Sequence, residues 1–202
     1  MDNPICSKEL CTGCGACYNI CPVQCINMEA DEEGFDYPFI ELDKCIDCRK
    51  CQSVCPMINS AKFHDETELT VYACWNKDES VRYNSSSGGV FTALAEAIIE
   101  DDGVAYGAAY DESMIVRHIA IDNKHDVKKL RGSKYVQSDI GRTYSDIKTK
   151  LVEGKKVLFS GTPCQVAGLK NFIGEKSGNL ITCDILCKGV SSPGLFNKYV
   201  NF

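Results

Sequence analysis

From residue 70 onward the apolar positions alternate between short strand-like runs and stripes at helical spacing. Val90, Phe91, Leu94, Ala97 and Ile98 fall on one face of a helix over 88–100. Apolar runs predict strands at 71–74, 104–109, 157–159 and 180–185. The alternation over 115–121 predicts a strand that turns back on 104–109 through Asp111, Glu112 and Ser113. A short helix over 126–130, a short strand over 135–137, and helices over 141–153, 163–172 and Pro193–Val200 complete an order that predicts an open, mixed sheet flanked by helices. The first sixty residues read differently. There Ile26, Met28, Phe35, Tyr37, Phe39 and Ile40 surround an acidic turn over 29–34, which predicts a short hairpin. The class expected is α+β: a small N-terminal module over 1–60, a polar linker over 61–69, and an α/β mixed-sheet domain over 70–202.

Cysteine changes this picture most. The chain has 14 Cys in 202 residues, and ten precede residue 60. Cys11, Cys14, Cys17 and Cys21, followed by Pro22, recur 34 residues later as Cys45, Cys48, Cys51 and Cys55, followed by Pro56. Each copy reads C-x2-C-x2-C-x3-C-P, the run of bacterial two-cluster ferredoxins, in which the fourth Cys ligates the other cluster. That resemblance implies one [4Fe–4S] cluster on Cys11, Cys14, Cys17 and Cys55, and a second on Cys45, Cys48, Cys51 and Cys21. Three thiolates from one tight loop reach three corners of a cubane only if the backbone curls around it, and Gly13, Gly15 and Ala16 permit this in the first loop. Backbone N–H groups there are expected to point inward at the cluster's negative charge. A zinc site would use two C-x2-4-C pairs and leaves the third Cys and the C-P ending unexplained. Disulfides suit an oxidising compartment. Cys6 and Cys25 stand outside the run and read as small packed residues.

Charge divides at the same boundary. Residues 1–60 hold ten Asp/Glu against four Lys/Arg, while the rest balance at eighteen of each. So acidic a module excludes nucleic acid as a partner and suits a redox protein or subunit with a basic docking patch. No apolar run approaches the length of a membrane span and no signal-peptide pattern is present, so a cytoplasmic location is expected.

Two junctions in the second part bear chemistry. The run Ser85, Ser86, Ser87, Gly88, Gly89 opens a helix, and its free N–H donors would suit an anion such as a dinucleotide pyrophosphate; an ordinary N-cap is the alternative. Arg82, Lys128, Lys129, Arg131 and Lys134 are nearby cations or a solvated face. In the second junction Thr162 is placed as N-cap and Pro163 at the first helical position, so Cys164 sits in the first turn, where the dipole favours thiolate. Cys164 reads as a ligand of a further cluster with Cys183 and Cys187, as a thiol against a flavin ring, or as a buried small residue. His64, His118 and His125 form no ligand pattern and read as surface residues.

The segments NSSSGGVFTALA, KLRGSKYVQSD, FSGTPCQVAGL and the closing D-x2-C-x-G-V-x-S-P resemble the coenzyme F420-reducing hydrogenase and formate dehydrogenase beta-subunit family. The resemblance implies FAD near Ser87, Gly88 and Gly89, with Lys134 nearby and Thr162 and Cys164 close to the ring. It implies an oxidoreductase subunit passing electrons between the clusters and a deazaflavin or other small-molecule acceptor. A noncatalytic electron carrier and an accessory protein of surface-polysaccharide synthesis are the alternatives. The family's domain normally runs further than residue 202, so the second domain is expected to be incomplete.

Overall fold

The structure is a computed structural model that describes residues 5–59, 69–174 and 177–202. His64 and nearly all of the expected linker lie outside these residues. The N-terminal module contains helix α1 (Ala16–Ile20), an antiparallel hairpin of β1 (Ile26–Ala30) and β2 (Asp36–Ile40), and helix α2 (Lys50–Ser53). Asp31 closes the hairpin turn, its carboxylate accepting from the amides of Glu33 and Phe35. Beyond it come α3 (Glu79–Tyr83), α4 (Val90–Glu100), β3 (Val104–Tyr110), β4 (Val116–Ile121), α5 (Thr143–Val152), β5 (Val157–Gly161), α6 (Pro163–Ile173), β6 (Leu180–Asp184) and α7 (Pro193–Val200).

Four strands form one sheet in the order β4-β3-β5-β6, with β4 antiparallel to β3 and the other pairs parallel. The mixed sheet expected from the element order is therefore present. Val157, Leu158 and Phe159 of β5 are all fully buried, because both faces of this central strand are covered. On one face α4 and a 3-10 helix (Lys124–Leu130) pack Ala95, Ile98, Val127 and Leu130 against Ala105, Ala109 and Leu158. On the other face Tyr106, Val157 and Phe159 meet Tyr144 and Ile147 of α5 and Val166, Leu169 and Phe172 of α6. That second core continues into the N-terminal module through Cys14, Ala16 and Val54.

Some expectations are corrected. Residues 71–74 form no strand; Val71 and Tyr72 are exposed and no sheet edge pairs with them, so β-propensity alone does not order them into the ladder. Residues 135–137 make only an isolated bridge, between Val136 and Ser191. The serines before α4 do not cap it. Its N-cap is Gly89 in the left-handed region with φ 72° and no side-chain cap, while the Ser85 hydroxyl donates to the Val81 carbonyl and closes α3. Among the described residues no helix is long and apolar enough to cross a membrane.

Candidate functional site

The two cysteine loops repeat in backbone as well as sequence. Gly13 and Gly15 hold φ of 63° and 73°, and 34 residues later Asp47 and Arg49 hold 48° and 56°. The first loop meets this left-handed geometry with glycine, whereas the second meets it with side chains that are strained there. Each curl surrounds a cavity. Cys11, Cys14 and Cys17 line the first together with Cys55, Ile5, Pro38 and Met57. Cys45, Cys48 and Cys51 line the second, of about 300 Å³, together with Cys21, Ile26 and Ile40. The fourth Cys of each run thus faces the other run's loop.

The two cavities differ in exposure. Cys14, Cys17 and Cys55 are buried, whereas Cys45 and Cys48 are exposed. Burial pushes the Cys14 thiol up to about 12, against the opposing effect of the Ala16 amide, and raises Cys17 as well. Inward amides are therefore present, as the loop geometry requires, yet they do not offset desolvation. A cationic iron centre supplies what these thiolates lack, and the all-sulfur donor set fits an iron–sulfur cluster. Burial also raises Cys21, but the amide and thiol of Cys25 and the amides of Val23 and Gln24 outweigh it and hold Cys21 below the usual thiol range.

Each cavity also has a fifth thiol. Cys25 is 2 % exposed, packed as expected of a small residue, but its Sγ lies 3.5 Å from Cys21 Sγ. Its own amide donates to Cys21 Sγ at 3.4 Å. Cys6 lines the first cavity, and burial and the neighbouring Cys11 and Cys55 push its thiol up to about 12.

The first cavity backs onto the sheet domain. Tyr144 Oη lies 2.8 Å from the Cys14 carbonyl and 2.9 Å from that of Gln165, and donates to this pair. Gly168 of α6 gives Cys14 room, since a Cβ there would stand 3.1 Å from its Sγ. Asn19 donates to the Gly141 carbonyl at 2.9 Å and accepts from the amide and hydroxyl of Ser145 at 3.2 Å. Arg142 donates to the Tyr18 carbonyl and lies over its ring at 3.9 Å. Gln137 acts as a surrogate strand neighbour for Asp36, accepting from its amide at 2.8 Å and donating to its carbonyl at 3.1 Å. At the hairpin turn the backbones of Gly34 and Gly194 cross so closely that a Cβ on Gly34 would stand 2.6 Å from Gly194 Cα. None of these seam partners was readable from the cysteine pattern.

The turn into α6 follows its sequence. Thr162 is the N-cap, Pro163 opens the helix, and Gln165 completes a capping box by accepting from the Thr162 amide at 3.0 Å. Cys164 Sγ lies 3.0 Å from Thr162 Oγ1, on the face of the sheet that holds the first cavity. Cys183 packs into the core of the opposite face, and Cys187 is exposed. Cys164 and Cys183 thus lie on opposite faces of the sheet, and among the described residues no further metal site gathers the three.

His118 corrects another expectation, for it is buried and not a surface residue. Its ring stacks on Phe159 at 5.2 Å. Nε2 lies 3.1 Å from the Ser160 carbonyl, which can only accept, so Nε2 has the proton. Nδ1 then accepts from the Ser138 hydroxyl at 3.2 Å, and Ser138 in turn accepts from Gln165 Nε2 at 2.9 Å. Burial lowers His118 to about 4. This chain of polar groups ties β4 to the capping box. Nearby, Ser86 Oγ accepts from the Ser133 amide at 2.9 Å, which brings the serine–glycine loop against 132–134. Lys134 donates to the Arg131 and Lys129 carbonyls, and burial lowers it to about 8. His125 is exposed, as expected.

Paired thiol cavities, the first packed against the helices that cover one face of an α/β sheet, define an iron–sulfur electron-transfer protein. Comparison with known families agrees: residues 10–58 and 37–82 match 4Fe-4S dicluster domains, and residues 71–143 match the coenzyme F420 hydrogenase/dehydrogenase beta subunit, N-terminal part. A chain of the F420-reducing [NiFe] hydrogenase complex from Methanosarcina barkeri has a similar fold, with a TM-score of 0.52 and 20 % identity over 66 % of this chain. The match spans 50 % of that chain, so the present chain corresponds to about half its length. No curated protein matches. These matches support a likeness to the F420 hydrogenase beta-subunit-like family, carried by residues 71–143.

Proposed function

We propose that this chain is an electron relay with two [4Fe–4S] clusters held crosswise, the inner on Cys11, Cys14, Cys17 and Cys55 and the outer on Cys45, Cys48, Cys51 and Cys21. The observation that supports this reading best is the composition of the two cavities, each lined by three thiols of one run and the last thiol of the other. The unequal burial supplies a direction: the inner cavity faces α6 and the sheet, and the outer one opens to solvent. Exposed Leu42 and Ile46 line the outer cavity together with Asp47, Arg49 and Lys50, and the acidic balance of residues 1–60 suits a redox subunit with a basic patch.

The corner between α4 and the Thr162 turn is the proposed flavin site. The first-turn amides of α4 have no side-chain cap, and Ser87, Gly88, Gly89 and Lys134 supply donors for a pyrophosphate. FAD, when bound, would supply the exchange between an electron pair and the single electrons that clusters take. Thr162 and Cys164 would position its ring beside the inner cavity, and a deazaflavin or another small molecule would be the acceptor or donor. The test is anaerobic purification with iron, sulfide and flavin quantified per chain after reconstitution with FAD. About eight irons and a flavin band are expected. Bound zinc or fewer irons overturns the relay, and iron without flavin leaves an electron carrier.

A further inference from the structure

The repeat lets one loop be set against the other. Gly13, Gly15 and Ala16 of the inner loop stand where the outer loop has Asp47, Arg49 and Lys50, each 34 residues on. No charged side chain lines the inner cavity, whereas all three of these line the outer one. Asp47 and Arg49 hold their places at φ 48° and 56°, where glycine would fit without strain, so the outer loop keeps its charges at a conformational cost. Arg49 Nε lies 3.6 Å from Asp47 Oδ1, with the two side chains 73 % and 82 % exposed. One carboxylate thus faces two cations, and Lys50 is left uncompensated within the loop. Backbone amides act on sulfur in both cavities, those of Gly13 and Ala16 in the inner and those of Gln24 and Gln52 in the outer, so they do not separate the two.

We propose that Arg49 and Lys50 help to set the potential of the outer cluster above that of the inner one, so that the first electron to enter the chain rests at its exposed end. This rests on the crosswise ligation proposed above. Reduction adds one negative charge to a cluster and breaks no bond. At the inner site that charge meets an uncharged wall and the buried Cys14, Cys17 and Cys55, where burial already disfavours anionic sulfur. At the outer site it meets solvent and two cations. Solvent and cations act in the same sense, so removing the cations narrows the gap between the two potentials without closing it. The inner cluster is then the step between the sheet and the outer cluster, where an electron waits for a partner.

The test compares the full chain with Arg49→Gly, Lys50→Ala and the double variant, which copies Gly15 and Ala16 of the inner loop. After anaerobic reconstitution and an iron count, each is titrated with reductant and followed by low-temperature electron paramagnetic resonance. An aqueous dysprosium chelate identifies the outer cluster, whose signal relaxes faster when the ion approaches from solvent. Wild type should hold about eight irons, with the chelate-sensitive signal appearing at the higher potential. The double variant should keep its iron and its inner midpoint, while its outer midpoint shifts to lower potential by more than in either single variant. Lys50→Arg should keep the wild-type value. If wild type holds eight irons but the chelate-sensitive signal appears second or together with the other, or if the double variant leaves the outer midpoint in place, the proposal is wrong and the ligation reading stands. A wild type below eight overturns both. Should the double variant lose iron, Arg49→Gln with Lys50→Gln removes the same charges while keeping long side chains and makes the same comparison.

Discussion

Replacing His118 with Gln tests whether the buried polar chain behind the α6 turn is organised by a neutral imidazole. An amide can donate to the Ser160 carbonyl and accept from the Ser138 hydroxyl, as the imidazole does, but it does not titrate. Desolvation lowers His118 from its ordinary 6.5 to about 4; the Ser160 carbonyl and Asp139 oppose this, and Lys134 adds to it. The unfolded chain therefore binds a proton below about pH 6.5 that the folded chain refuses until about pH 4. Stability must fall as pH drops through that window. The whole gap corresponds to about 3 kcal/mol, of which about 2 kcal/mol is lost by pH 5. The assay is anaerobic urea unfolding by far-ultraviolet circular dichroism from pH 8 to pH 5. With a slope of about 2 kcal/mol per molar urea, the wild-type midpoint should drop by about 1 M more than that of the variant. Parallel pH profiles would refute the buried neutral imidazole.

Gln137→Ala removes both bonds to the Asp36 backbone and should cost about 1–3 kcal/mol, read as a lower unfolding midpoint. Gly34→Val places a branched side chain at φ 79° against the Gly194 backbone, and should release the hairpin turn from α7, visible as new proteolytic cleavage around 190–202. Lys134, held near 8 by burial, should acylate at half its limiting rate near pH 8, roughly two pH units before ordinary lysines, in site-resolved mass spectrometry.

The sequence revealed most where a local rule acts alone. The β3–β4 turn at Asp111 and the helix start at Thr162 and Pro163 depend on neighbours within a few residues, and each appears as expected. The strand expected at 71–74 is absent because a strand needs a partner, which a single apolar run cannot specify. His118 was misread because alternation along β4 says which face a residue takes, but not that α6 and Ser138 cover that face. Gln137, Asn19 and Arg142 look like ordinary polar residues until folding places them more than a hundred positions away from their partners.

The continuity of one core from Cys14 and Ala16 to Tyr144 and Phe159 has a consequence for maturation. Under the proposed ligation, iron bound for the inner loop would arrive before α6 packs against Cys14, whereas the exposed Cys45 and Cys48 of the outer loop would impose no such order.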